Sequence, residues 1–186
     1  KLGGVLESWK AASSTSINVR PMTVLNQIFI VAGLYGGTGS GVHIHLAAML
    51  RKLLEKYQID RTAIYGIFMM PDIVKRPNSE SKRKLRANAY ACLKELDYFC
   101  SGNPYRFKIS PDEEVTVSNW DQDVLFNKVF LLSDKNLAAQ ELKDEYEAAA
   151  MTGEFIFHFC ATALGRSLNQ RLVDTPNEVC AQPAPG

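Results

Sequence analysis

Gly33-Leu34-Tyr35-Gly36-Gly37-Thr38-Gly39-Ser40-Gly41 is the stretch on which the reading of this 186-residue chain turns. Before it runs Val24-Leu25-Asn26-Gln27-Ile28-Phe29-Ile30-Val31-Ala32, nearly continuous in apolarity and rich in β-branched residues, the pattern of a strand buried on both faces. After it, His45 to Tyr57 sets Leu46, Met49, Leu50, Leu53 and Leu54 three and four apart, which marks one face of a helix. A glycine loop between a buried strand and a helix is where an α/β sheet exposes backbone amides and the positive helix end. Glycines there let phosphate oxygens approach and permit positive φ, and Thr38 and Ser40 add hydroxyl donors. The same residues also suit a tight strand-to-helix turn that binds nothing.

Two common nucleotide motifs fit the loop badly. A P-loop needs G-x-x-x-x-G-K-[ST], and Val42 and His43 stand where its Lys and hydroxyl residue would be. A dinucleotide fingerprint needs G-x-G-x-x-G, and Gly37-Thr38-Gly39-Ser40-Gly41 brings the last glycine one residue early.

Working outward, Ala63 to Met70 predicts a second strand, stopped by Pro71, and Asp72 to Ser81 reads as a surface loop. Lys82 to Phe99 predicts a helix with Leu85, Ala89, Leu93 and Leu96 on one side. Residues 106–109 and 115–117 flank Ser110-Pro111-Asp112-Glu113-Glu114 and predict a hairpin with a charged edge. Val124 to Leu132 predicts the third main strand, and Glu141 to Leu168 a long helix whose apolar middle, Phe155 to Phe159, places it inside the fold. The whole predicts an α/β, Rossmann-like parallel sheet with helices on both faces and a small β-hairpin insertion. Residues 1–23 read as a helix and loop fragment, 24–175 as the nucleotide-binding domain, and 176–186 as a disordered tail.

Composition adds bounds. The chain is 46% apolar and 22% charged, ordinary globular usage, and 21 basic against 20 acidic residues leave a net charge of +1 that points to neither nucleic acid nor an anionic membrane. No signal peptide or bilayer-length apolar run is present, and Cys92, Cys100, Cys160 and Cys180 form no C-x-x-C pair, so they read as reduced core thiols of a cytoplasmic protein. A start at Lys1 reads as an excerpt of a longer polypeptide. His43 and His45, two apart on a helix, are poorly spaced for one metal and lack a carboxylate or cysteine cluster, so no protein metal site is expected. His158, amid aromatics, reads as a buried packing residue, and Trp9 and Trp120 belong to no motif.

The hexapeptide Gly36-Gly37-Thr38-Gly39-Ser40-Gly41 resembles the G-G-T-G-[ST]-G signature of the tubulin/FtsZ superfamily. The likeness continues through a helix, a strand and a proline-opened loop at Met69-Met70-Pro71, and Arg86 to Phe99 looks like the helix of the divergent bacterial tubulin-like proteins. It implies GTP phosphates on Gly36, Gly37, Thr38, Gly39, Ser40 and Gly41, with Mg²⁺ accompanying, and contacts from the Pro71 loop. It further implies ribose and phosphate contacts from Glu80, Arg86 and Asn88, which as bare residues equally suit a solvated basic helix start. Asp134 and Asn136 fall where the family sets a polar residue against the nucleoside, although a helix cap explains them as well. The family reads the base with an aromatic and, one turn later, an Asn or Asp; here Tyr146 is followed by Ala150, and Glu154 lacks the aromatic, so guanine specificity is not implied by those positions. Val173 to Glu178 lies where the family carries an acidic loop that completes hydrolysis in the adjacent subunit, and a polar helix exit accounts for it better.

The resemblance thus implies a GTP-binding protein that self-associates into an oligomer or filament, hydrolysis being completed by a neighbouring subunit. The near-zero net charge leads to the expectation of no nucleic-acid or membrane partner. The family's first phosphate loops sit in upstream βαβ units of about 30 residues, longer than residues 1–23. Two alternatives stay open: a noncatalytic interaction module that keeps the fold, and a dinucleotide-binding oxidoreductase.

Overall fold

A computed structural model describes residues 26–59, 62–75, 78–111, 113–117, 125–135, 141–163, 165 and 167–168. The expectations for residues 1–23 and 173–186 lie outside them. The chain divides into two compact units at Ser133/Asp134.

The first unit is built on a parallel sheet of three strands in the order β1-β2-β5, where β1 is Asn26–Gly33, β2 is Thr62–Met69 and β5 is Lys128–Leu132. The run 63–68 of β2 is buried throughout, which is why its sequence reads as unbroken apolarity: a central parallel strand has no solvent face. The register pairs Ile28 with Ile64, Ile30 with Gly66 and Ala32 with Phe68 on one face, and Phe29 with Tyr65 and Val31 with Ile67 on the other. Gly66 makes room for a ring, since a Cβ on it would stand 2.6 Å from the side chain of Phe68.

Helices α1 (Gly37–Lys56) and α2 (Ser79–Cys100) share one hydrophobic cluster with Ile30, Ile64 and Phe68. Right-handed crossovers between neighbours in a sheet that grows in one direction put both helices on that same face. The buried side of α1 is His43, Ile44, Ala47, Ala48, Leu50 and Leu54, whereas the expected Leu46 and Met49 are exposed. Alanines permit the closest approach to the sheet, so they rather than the larger residues define the contact. The helix ends in a Schellman turn: Gln58 N donates to Glu55 O and Ile59 N to Leu54 O, with Gln58 at φ 54° in the position usually given to glycine.

Helix α2 begins earlier than its periodicity suggests, because the Asn78 side chain caps it by accepting from Ser81 N at 2.7 Å. What reads as a loop is therefore partly a helix start. A 3₁₀ turn, Pro71–Ile73, precedes it. Strands β3 (Tyr105–Ser110) and β4 (Glu113–Val117) pair antiparallel. Strand β5 is shorter than the expected 124–132, but Leu125 and Phe126 ahead of it are buried in the same cluster. Asn127 then ties strand and helix together: its Oδ1 accepts from Ile64 N and from Arg51 Nη2, both at 2.7 Å.

The second unit holds α3, Glu145–Ala161. Asp144 caps it, accepting from Tyr146 N and Glu147 N, while the Glu147 carboxylate accepts from Lys143 N. The expected helix is interrupted at Thr162, and Ala163, Gly165, Ser167 and Leu168 are helical again. Thr162 leaves helical geometry, its hydroxyl donating to His158 O, and Gly165 lies so close to the last turn that a Cβ would stand 2.2 Å from His158 O. His158 is exposed rather than buried. Of the cysteines, Cys92 is buried and Cys100 half-buried, but Cys160 is exposed, so it is not a core thiol; Cys180 lies outside the described residues. Among the described residues no helix is long and apolar enough to cross a membrane.

Candidate functional site

The carboxyl ends of the three parallel strands meet at one edge: Leu34 N donates to Met69 O at 3.1 Å and Met70 N to Leu132 O at 2.8 Å. From that edge the chain after β1 turns through Leu34, Tyr35 and Gly36 directly into α1. Most of the glycine stretch is thus not loop. Gly37, Thr38, Gly39, Ser40 and Gly41 form the opening turn of the helix, with Gly36 as its cap at φ −87° and ψ 161°.

No side chain caps this helix and its first turn carries no acidic residue. The first intrahelical bond runs from Ser40 N to Gly36 O at 3.2 Å, so the amides of Gly37, Thr38 and Gly39 precede the helical ladder. Those amides and the positive end of a 20-residue helix attract negative charge, and no acidic side chain in the turn competes for it.

The glycines divide into two kinds. A Cβ on Gly39 would stand 2.5 Å from Gly33 O and 3.2 Å from Gly33 N, so this glycine lets the helix approach the end of β1. A Cβ on Gly36, Gly37 or Gly41 would meet nothing within 4 Å. Positive φ is not the reason for any of them, since among the described glycines only Gly102 adopts it. At three positions, therefore, nothing in the chain itself demands glycine, and the space a side chain would take is open.

Helix α2 supports the turn from one side. Asn88 Nδ2 donates to Tyr35 O at 3.1 Å, and the Cys92 thiol lies 3.6 Å from Leu34 O and 3.5 Å from Ser40 O as a shared donor. Burial pushes the Cys92 thiol above its usual pKa, which keeps it a donor. Inside α1, the His43 ring is buried and its Nδ1 lies 3.1 Å from Gly39 O, a carbonyl that can only accept, so Nδ1 carries the proton. Burial lowers the His43 pKa, opposed by the carbonyls of Gly39 and Ser40 and by the charge of Glu95. The ring packs edge-on against Phe68 at 5.0 Å. Ser40 Oγ donates back to Gly37 O at 3.2 Å.

The structure brings together Gly36 through Gly41 and Asn88, which reaches the turn through Tyr35. Pro71 opens the 3₁₀ turn after β2, on the same edge of the sheet. Arg86 is exposed on α2, and Glu80 pairs with Lys84 at 2.8 Å, the ordinary i, i+4 partner of a helix surface. Asp134 belongs to the second unit, where its carbonyl accepts from Leu142 N; Asn136 lies outside the described residues. Sequence reasoning missed Cys92 and His43 as supports of the turn. Cys92 could have been found from its place on the apolar side of α2 one turn after Asn88, whereas His43 carries no signal beyond following a glycine by four.

A family model described as "Tubulin like" matches residues 4–178. The chain belongs to the tubulin-like family. The match spans both units and includes the strand, the glycine-rich helix start and α3. No curated protein and no solved structure matches the chain. The three open glycines are the sharpest local feature of the uncapped helix start.

Proposed function

We propose that this tubulin-like protein binds the phosphates of a guanine nucleotide on the opening turn of α1. One observation carries the reading: at Gly36, Gly37 and Gly41 an added Cβ would meet no atom within 4 Å, at the start of a helix that has no side-chain cap and no acidic residue in its first turn. Glycine costs a helix interior about 0.5–1 kcal/mol relative to alanine, so its use where the fold has room for more points to something outside the chain that needs the space. The amides of Gly37, Thr38 and Gly39 and the hydroxyls of Thr38 and Ser40 would hold phosphate oxygens, with Asn88 fixing the turn and Arg86 supplying positive charge. Mg²⁺, when bound with the nucleotide, would offset phosphate charge. The parallel sheet, with α1 and α2 on one face, would then be the centre of a Rossmann-like nucleotide-binding fold with β3–β4 as an inserted hairpin. Family membership supports GTP over other nucleotides, self-association into an oligomer or filament, and hydrolysis completed by a neighbouring subunit.

A second reading, a noncatalytic interaction module with the same fold, is favoured by α3. Tyr146 is 84% exposed, and Ala150 one turn later offers the base no hydrogen-bonding group. Titrating the full-length protein with GTP, ATP and NAD, beside a Gly37→Ala/Gly41→Ala variant, separates the readings. GTP-selective binding lost in the variant supports the first, absence of nucleotide binding the second, and NAD binding would instead indicate a dinucleotide enzyme. Light scattering with and without GTP tests assembly.

A further inference from the structure

The net charge of +1 conceals a separation of charge between two helices. From Ser79 to Lys94, α2 sets Lys82, Arg83, Lys84, Arg86 and Lys94 against the single carboxylate of Glu80. Glu80 pairs with Lys84, whereas Lys82, Arg83 and Arg86 form no ion pair among the described residues. Cations in the first turns of a helix oppose its dipole, so by themselves they do not stabilise α2. In the second unit, α3 carries Glu145, Glu147 and Glu154 and no lysine or arginine.

Each helix also presents an exposed stripe. On α2, Arg83, Ala87, Tyr90, Lys94 and Tyr98 recur at helical spacing opposite the buried Ala89, Cys92 and Leu96, with Tyr90 65% and Tyr98 54% exposed. On α3, Tyr146, Ala150, Gly153, Phe157 and Ala161 recur at the same spacing opposite the buried Ala148, Thr152 and Phe159, and all of them are exposed. Glu147 and Glu154, two turns apart, run along one flank of that stripe. A Cβ on Gly153 would meet nothing within 4 Å, so the centre of the stripe is bare, and small residues there let a second helix come close.

The two stripes complement one another in charge and in relief. Cations and protruding tyrosines on α2 answer carboxylates and a bare centre on α3, and tyrosine and arginine are side chains that protein interfaces favour. We propose that α2 of one copy of this chain docks on α3 of another, Tyr90 lying against Ala150 and Gly153, with Glu147 and Glu154 to either side meeting Arg83 and Lys94. A second copy is the occupant because the chain itself supplies both halves of the match. This contact rests on the self-association proposed above and assigns its surfaces. A closed arrangement of such contacts gives a dimer or ring, and an open one a filament.

The test measures the mass of the full chain by sedimentation over a range of concentrations, with and without GTP, beside variants whose fold is checked by circular dichroism. The parent protein should associate, and raising salt from about 50 mM to about 500 mM should weaken that association. Arg83→Glu/Lys94→Glu leaves both helices acidic and Glu147→Lys/Glu154→Lys leaves both basic, so each variant alone should associate at least about tenfold more weakly. Mixed in equal amounts the two should associate again, since each then offers the charge that the other lacks. Gly153→Gln, for whose Cβ the chain has room, should block docking without unfolding α3. It also covers the case in which Glu147→Lys, by removing the acceptor of Lys143 N, loosens that helix. Association that neither the charge reversals nor Gly153→Gln weakens, or a mixture no stronger than its parts, overturns these surfaces and leaves self-association standing. A chain that stays monomeric with and without GTP overturns both.

Discussion

Replacing Gly37 and Gly41 by alanine should make the protein more stable and, at the same time, a weaker binder of nucleotide. Both residues lie in the opening turn of α1, neither has positive φ, and an added Cβ meets no atom within 4 Å at either position. Alanine at a compatible helical site stabilises by about 0.4–1 kcal/mol, in large part by restricting the unfolded chain. Gly37 sits at the first helical position, where propensity counts least, so the pair should contribute about 1 kcal/mol. For a chain of this size that is about 2–4 °C in Tm. Each methyl, however, stands where a phosphate oxygen would approach the free amides, and losing one charged hydrogen bond costs about 1.5–3 kcal/mol, or roughly tenfold to a hundredfold in affinity. Urea unfolding and GTP titration of the same samples read the two effects separately. Raised stability with undiminished GTP binding would refute the placement of the phosphates. Lowered stability would show that the space around these glycines is already filled.

Gly39→Ala should behave in the opposite way, losing about 1–3 kcal/mol in urea unfolding, because its Cβ would press on the backbone of Gly33, which cannot swing aside as a side chain can. Asn127→Leu should cost about 2–4 kcal/mol by the same assay, since it strands Ile64 N and Arg51 Nη2 together; a loss below 1 kcal/mol would mean that water replaces Asn127 freely. His43 should give the stability a pH dependence. Its folded pKa lies below the ordinary 6.5, so stability is full above that value and declines as pH falls below it, where the unfolded chain takes up the proton first. Stability measured between pH 7.5 and 5 should therefore fall less steeply in His43→Phe than in the parent protein, and identical slopes would count against a buried neutral His43.

The sheet was legible because β2 carries its own signal, a parallel strand without a solvent face being apolar at every position as Ala63 to Phe68 is, whereas β1, expected to be buried on both faces, lies at the edge of the three strands with only Ile30 buried and Val31 43% exposed. Boundaries were less so, because they depend on single hydrogen bonds. Asn78 turns a loop-like Pro-Asn-Ser sequence into a helix start through one bond to Ser81 N, and Gly165 folds back on His158 at the end of a pattern that otherwise continues as helix. The side of α1 that packs was misjudged for a similar reason. Leucines at threes and fours mark a helix, but which flank meets the sheet depends on how near the backbones come, and Ala47 and Ala48 decide that.

The glycine stretch shows how far motif and mechanism can separate. The sequence argued for glycines on two grounds, positive φ and close approach, in a loop ahead of a helix. In the structure the positive φ is absent from the stretch, the loop is largely a helical turn, and close approach holds within the protein at Gly33, against the Tyr35 ring, and at Gly39, against the backbone of Gly33. What remains for Gly36, Gly37 and Gly41 is room without an internal occupant. At Gly37 and Gly41 exchange for a better helix former is sterically free, whereas at the cap position of Gly36 glycine is itself favoured over alanine, and Gly153 within α3 is equally open. The presence of Gly36, Gly37 and Gly41 together at an uncapped helix start, braced from behind by Cys92 and Asn88, is what supports the proposal that a ligand occupies that room. The carbonyls of Leu34, Tyr35 and Ser40 are held from the neighbouring helix, and those of Gly37 and Gly39 by Ser40 and His43 from within α1, so the turn is fixed without any side chain placed over its free amides.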